Sequence, residues 1–231
     1  MASEPCSLAI ETSARTGSVS LGRGDRIVQT ASLPQQRRHA IDLMPAIDRL
    51  CRDASIGPSD LTEVCVSIGP GSFTGLRIGL TTAKMLAFAT GCDLYGIGTL
   101  DVVAQNAPKD TDRTLAVCLN AKRGDCYSGL YRFVDGRWIP ESEPALRTPQ
   151  QLIKAAGGPL MVIGDQLPPF DWPEQAERLD PDLAIPRSEV LWHLGRQRAA
   201  DHEPDDAMAL SPCYVRLPEA EEVWRQKQES A

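Results

Sequence analysis

The clearest pattern along the chain lies between Val64 and Ala89, where a short β-branched run is broken by Gly69-Pro70-Gly71 and an apolar stretch follows. The spacing predicts a buried strand, a glycine turn and a helix reaching about Ala89, with the hydroxyls of Ser72 and Thr74 offered as N-caps. On a helical wheel Gly75, Gly79, Ala83 and Ala87 fall four apart, and Ile78, Thr82, Met85 and Leu86 widen the weakly polar arc to over half the circumference. Only Arg77, Thr81 and Lys84 form a polar wedge. One sheet face needs a stripe of roughly 100°, so this helix has apolar surface left over. Two interior glycines cost about 1 kcal/mol each relative to alanine, and close approach of another helix would offset that through dispersion contacts. The small-residue stripe is therefore expected to be a docking face. The competing reading is that it only fits the helix to its own sheet.

Residues 7–21 give an apolar run, a polar turn at Ala14 to Gly17 and a second run alternating Val19 and Leu21, which predicts a β-hairpin; charged Gly22 to Arg26 either ends it or begins a third strand, Ile27 to Ala31. Between Arg38 and Arg52, Ile41, Met44, Ile47, Leu50 and Cys51 recur at helical spacing opposite Asp42, Asp48 and Arg49, which predicts an amphipathic helix. Pro45 removes the bond to the Ile41 carbonyl, so a kink or a wide first turn is expected there. Ile56 to Asp60 reads as a turn, and Leu94 to Ile97 as one more strand.

The second half opens with a repetition. Leu115-Ala116-Val117 and Ala121-Lys122-x-Gly124 copy Leu8-Ala9-Ile10 and Ala14-Arg15-x-Gly17 at a constant offset of 107 residues. Both copies fall on expected hairpins, the second running through Cys126 to Phe133, which suggests two lobes on one plan. The lobes are expected at 1–106 and 107–218, with a polar tail at 219–231. Thr148-Pro149-x-Gln151 has the N-cap, N1 proline and N3 glutamine of a helix start. Leu160 to Gly164 reads as a buried strand. A proline-rich loop from Leu167 to Pro186 then leads to a helix at about Ser188 to Ala200, and Pro212 to Leu217 is expected to pair as an edge strand.

Composition narrows the function classes. A chain of 231 residues with 42% hydrophobic and 24% charged content is ordinary for a globular protein. The N-terminus has no basic region followed by an apolar one, and no apolar run approaches the ~18 residues that span a bilayer, so the expectation is a cytoplasmic protein without a membrane partner. Seven cysteines without a C-x-x-C pair suggest reduced, buried thiols, and three dispersed histidines make no metal site unaided. The net charge of -7 makes a poor match to a phosphate backbone. The densest basic group, Arg37-Arg38 with Arg49 and Arg52, reads as the solvated side of a helix.

Three places could carry chemistry. The Gly69 to Arg77 loop, with Gly71 and Ser72 at the start of a helix, could cradle an anion on free amides at the positive end of the dipole. It is not a Walker A loop, because no Gly-Lys-Ser/Thr follows the glycines. Arg77 in the first helical turn, where a cation is disfavoured, hints at a carboxylate or phosphate partner. Glu11, Thr12 and Ser13 at the end of the first strand could hold a phosphate or a hydrated magnesium ion, although a hairpin turn wants such residues anyway. His39 precedes an apolar helical face and is expected to be a satisfied capping or interfacial histidine.

Taken in order, the Ile10-Glu11-Thr12-Ser13 segment, the stretch from His39 to Asp48, the Gly69 to Arg77 loop with its helix, the Asn120 to Tyr131 hairpin, Val162 to Asp165 and Pro212 to Arg216 resemble the TsaB (YeaZ) family. The resemblance implies an α/β, two-lobed, actin-like (ASKHA, ribonuclease-H-like) duplicated fold. It implies a role in forming N6-threonylcarbamoyladenosine at position 37 of tRNA, as a non-catalytic scaffold that dimerises with the catalytic subunit TsaD, with the ATPase TsaE joining them. Self-association would use the same face, tRNA would be touched only indirectly, and ATP or ADP could sit at the joint interface with the partner. The residues expected to bind the partner are His39, Leu43, Ile47 and Leu50 on one helix and Phe73, Gly75, Leu76, Gly79, Leu80, Ala83 and Ala87 on the other. Those expected to meet a cofactor are Glu11, Thr12, Ser13, Gly71 and Ser72.

The catalytic relative carries two metal-binding histidines where this chain has Thr99 and Val103, and neither residue replaces an imidazole as a transition-metal ligand. Glu11 stands where the family often has aspartate, and Asn120-Ala121-Lys122 where Asp-Ala-Arg is usual. An ATPase or kinase of the same fold, and a metallopeptidase (M22-like) homologue, are the alternative readings.

Overall fold

In the first strand, β1 (Cys6–Glu11), every residue is buried, so both faces of its sheet must be covered. The computed structural model describes residues 4–34, 39–109, 112–121, 123–165, 167 and 169–216. Arg37, Arg38, Lys122, Leu217 and the tail at 219–231 lie outside them.

β1 pairs antiparallel with β2 (Ser18–Arg23), which pairs with β3 (Arg26–Ser32). After α1 (His39–Asp53), the parallel strands β4 (Glu63–Gly69) and β5 (Asp93–Gly98) complete a sheet of order β3-β2-β1-β4-β5. Between them lies α2 (Phe73–Thr90), capped by Ser72 and ended at Gly91, whose φ of 74° is the left-handed conformation that favours glycine. Leu8, Ile10, Val64 and Val66 point to one face and join α1 and α2 in a common core. α1 runs unbroken through Pro45, whose missing donor falls in the second turn.

A short helix, α3 (Thr99–Ala104), leads to the second sheet. There β6 (Thr114–Asn120) and β7 (Cys126–Val134) form the hairpin that repeats β1–β2. β8 (Arg137–Pro140), β9 (Ala145–Arg147), β10 (Leu160–Asp165) and β11 (Ala176–Arg178) complete the sheet, with order β11-β10-β6-β7-β8 and β9 beside β7. α4 (Pro149–Ala156) starts with the expected capping box, Thr148 accepting from the Gln151 amide. Two sheets of matching plan make the chain a two-lobed, actin-like α/β fold.

The lobe boundary differs from expectation. α5 (Ser188–Asp201) returns to the first sheet and covers the face opposite α1 and α2, where Trp192 and Leu191 pack with Ala9, Cys65 and Tyr95. Trp192 Nε1 donates to Ser7 Oγ at 2.7 Å. The residues beyond about 187 thus belong with the first lobe, because that sheet would otherwise leave one apolar face in water. Residues 212–216 form no strand; they run beside the end of β4, with the Cys213 amide donating to the Ile68 carbonyl at 2.7 Å.

Close approach of α5 depends on Gly195, where an added Cβ would lie 2.1 Å from Cys65 Sγ. Gly195→Ala is expected to lower stability by about 1–3 kcal/mol through overpacking, read as a lower urea midpoint at unchanged slope.

Candidate functional site

The end of β1 and the start of α2 meet at one point, where the sequence places both the acidic hairpin turn and the glycine loop. The parallel register pairs Ile10 with Val66, so Glu11 falls beside Ser67 on the neighbouring strand. Ser67 Oγ donates to Glu11 Oε2, while the Ser13 amide (2.7 Å) and hydroxyl (2.5 Å) donate to Oε1. Thr12 Oγ1 donates to the Gly75 carbonyl at 2.8 Å. Glu11, Thr12 and Ser13 are 0%, 0% and 2% exposed. The structure therefore closes the expected phosphate or magnesium site: the carboxylate and hydroxyls satisfy one another and α2 rather than facing a ligand.

The glycine loop is shut by the same contact. The Ser72 amide donates to the Ser13 carbonyl at 2.6 Å, and Ser72 Oγ accepts from the Gly75 amide at 3.3 Å. A Cβ on Gly71 would lie 2.4 Å from the Ser13 carbonyl oxygen. Gly71 and Ser72 thus pack on the turn, and that amide is not free for an anion. Arg77 stacks over the Phe73 ring at 3.8 Å and donates through Nε to Tyr214 Oη at 3.2 Å, which gives its charge aromatic and hydroxyl partners.

Burial pushes the Glu11 carboxyl above the ordinary 4.5, against the opposing pull of its hydrogen bonds from Ser13 and Ser67 and the charge of His39. His39 opens α1 in a buried position, 3.2 Å through Nε2 from the Ala14 carbonyl. It packs on the β1–β2 turn.

The expected docking stripe is overturned. Gly75, Gly79, Ala83 and Ala87, with Leu76 and Leu80, are the buried side of α2, turned to the chain's own first sheet. A Cβ on Gly75 would lie 2.0 Å from the Thr12 carbonyl oxygen, and one on Gly79 would lie 2.2 Å from Thr12 Oγ1. The small residues admit β1, not a foreign helix. Leu43, Ile47, Leu50 and His39 are likewise buried on α1, and only Phe73 of the expected set is half-buried. The outward faces instead carry Ile41 (65% exposed) and Met44 (49%) on α1, with Met85 (59%) and Phe88 (84%) on α2. Both helices pack on one sheet face and touch each other. The spacing of Met85 and Phe88 was visible in the sequence, but a wheel that is apolar nearly all round does not say which arc meets the sheet.

α3 carries Thr99 and Val103 one turn apart, 1% and 0% exposed. A buried hydroxyl and a valine do not fit a transition metal. Among the described residues no three His, Cys, Asp or Glu side chains lie together in a way that could hold a metal ion. Beside α3 a groove of about 420 Å³ runs between the lobes, lined by Asp101, Trp138, Arg137, Arg198 and His202 among others. Asp101 accepts from Tyr131 Oη at 2.9 Å, and its carboxyl is raised by burial.

Two outcomes follow from this geometry. Gly75→Ala should lower stability by about 1–3 kcal/mol, because the atom it meets is backbone, whereas Phe88→Arg should stay within about 0.5 kcal/mol; urea unfolding of the two variants separates them. Because the Glu11 carboxyl is raised, its protonation favours the folded state: that contribution is full below 4.5 and is lost as pH rises through the folded value. Glu11→Gln should flatten this slope, so that its melting temperature gains on the parent as pH rises from 4 to 7.

Residues 26–171, more than half the chain, match the family described as TsaD: tRNA N6-adenosine threonylcarbamoyltransferase. The Bacillus subtilis protein named tRNA threonylcarbamoyladenosine biosynthesis protein TsaB is 29% identical, over 96% of this chain and 98% of its own length. The Escherichia coli protein of the same name is 25% identical over 90% and 94%. The solved structure of YeaZ from Pseudomonas aeruginosa superposes with a TM-score of 0.77 at 25% identity, covering 91% of this chain and 99% of that one. Among the described residues no helix is long and apolar enough to cross a membrane. With near-full-length likeness in both sequence and fold, the chain belongs to the TsaB (YeaZ) family within the wider TsaD group.

Proposed function

We propose that this chain is a non-catalytic subunit of the machinery that makes N6-threonylcarbamoyladenosine in tRNA, and that it docks through α1 and α2 on a TsaD-like catalytic subunit. The observation that carries the reading is the outward apolar face of those helices. Phe88, Ile41, Met85 and Met44 are large side chains left in water on neighbouring helices, the kind of surface that marks a protein interface. The small residues behind them hold the helices to the sheet and so set the face rather than form it. A second copy of this chain would cover the same face when the partner is missing.

The non-catalytic assignment rests on α3, where Thr99 and Val103 occupy the places that the catalytic relative gives to its metal ligands. An ATPase or kinase reading would need Glu11, Thr12 and Ser13 open to phosphate, and they are closed. We therefore place ATP or ADP at the joint surface with the partner, where a TsaE-like ATPase would join. The acidic chain would meet tRNA only through the complex.

Loss of a central aromatic anchor from an interface costs at least about 2 kcal/mol, or roughly thirtyfold in affinity. Phe88→Arg combined with Met85→Glu should abolish co-purification with the TsaD-like subunit and lower threonylcarbamoyladenosine in tRNA, measured by nucleoside mass spectrometry, while the melting temperature holds. An unchanged complex, or transfer activity from the purified chain alone, overturns the reading.

A further inference from the structure

The last described residues make contacts that the docking reading does not use. After α5 the chain turns back along the edge of the first sheet. The Asp205 amide donates to the Leu94 carbonyl at 2.8 Å, and Asp205 Oδ2 accepts from the Gly96 amide at 2.7 Å. Leu210 packs against the position of Gly96, and Cys213 then joins the end of β4 through Ile68. Gly69 makes room for this: its φ is +107°, and a Cβ there would lie 3.1 Å from the Cys213 carbonyl oxygen. Tyr214 next lays its ring 5.1 Å from Phe73 and accepts from Arg77.

Two residues later the chain reaches the other lobe. Arg216 Nη2 lies 2.6 Å from Asp125 Oδ2, and Nη1 donates to the Ala121 carbonyl, so one guanidinium spans both sides of the β6–β7 turn. The side chains of Arg216 and Asp125 are 16% and 27% exposed, which shields the pair from solvent more than a surface ion pair. The fork of arginine, unlike a lysine point charge, fixes direction as well as distance.

A larger joint between the lobes gathers at α3, beside which Arg137 of β8 donates to Gln197 of α5 at 3.4 Å. Tyr131 donates to Asp101, Gln105 bonds both the amide and carbonyl of Trp138, and Asn106 Nδ2 donates to the Leu183 carbonyl at 2.8 Å. Besides these bonds, α3 packs Val102 with Leu191 and Trp192 of the first lobe and Leu100, Val103 and Ala104 with Leu115, Val117 and Tyr131 of the second, so the lobes already share a buried apolar joint, about which they can still pivot. An attachment away from that joint, at the β6–β7 turn, restricts the pivot.

We propose that residues 210–216 are an interlobe strap, with Tyr214 seated on the first lobe and Arg216 as its clasp on the β6–β7 turn, and that the strap fixes the angle between the lobes. The strap is a property of the chain itself and does not depend on any partner. Hydrogen exchange and small-angle scattering on the full chain test it. Arg216→Ala should speed amide exchange in residues 119–126 at least tenfold and enlarge the radius of gyration, with α1 and α2 unchanged; Arg216→Lys should fall between. Asp125→Asn provides the same reading should Arg216→Ala fail to fold, and Arg216→Asp with Asp125→Arg should recover part of the protection. Exchange and scattering equal to the parent, or a rise shared equally by α1 and α2, overturn the proposal.

Discussion

The contact on which the rest depends is the seating of the first turn of α2 on the end of β1. Thr12 sends its hydroxyl to the Gly75 carbonyl, and its own carbonyl lies where any side chain on Gly75 would have to go. Backbone meets backbone there, and glycine is the residue that permits it. The single approach has two effects. It draws the Gly69 to Ser72 loop onto Ser13, so the helix start spends its amide on the protein instead of on an anion. It also commits the small-residue arc of α2 to the sheet, which turns Met85 and Phe88 outward.

At the β1 end the acid and hydroxyls are turned to the protein itself. A carboxylate held by three hydrogen bonds in a dry position is a structural group, with burial disfavouring its charge and the hydroxyls moderating that cost. In the same way α3 turns Thr99 and Val103 into the core, where they add packing. The outside of the two helices is open to other molecules, and the apolar side chains there are suited to being covered.

Much of the fold was legible in the sequence because its signals are local. Ser72 and Thr148 announce their helices within three residues, and the repeated hairpin shows itself by offset alone. The short elements were not legible: α3 has six residues, and β9 and β11 have three each, too few for a period to register. The candidate site was legible only as a set of residue types. Whether Glu11 faces solvent or Ser67 is decided by a parallel register with a strand 56 residues away, and which arc of α2 is inward is decided by Thr12, 63 residues away. Residues 212–216 look strand-like in sequence, yet their side chains bridge two lobes, a role that alternation does not encode.

The return of α5 has a consequence for how the molecule comes into being. The first sheet is begun by Cys6 and finished by Trp192, whose indole hydrogen-bonds to Ser7 across 185 positions of chain. On the ribosome the earliest strands therefore wait, with Ala9, Cys65 and Tyr95 uncovered, until α5 has emerged. Such distant closure slows folding and lengthens the exposure of sticky surface. The amino-terminal half is thus not an independent piece but a socket, completed by a helix made more than a hundred residues after β1.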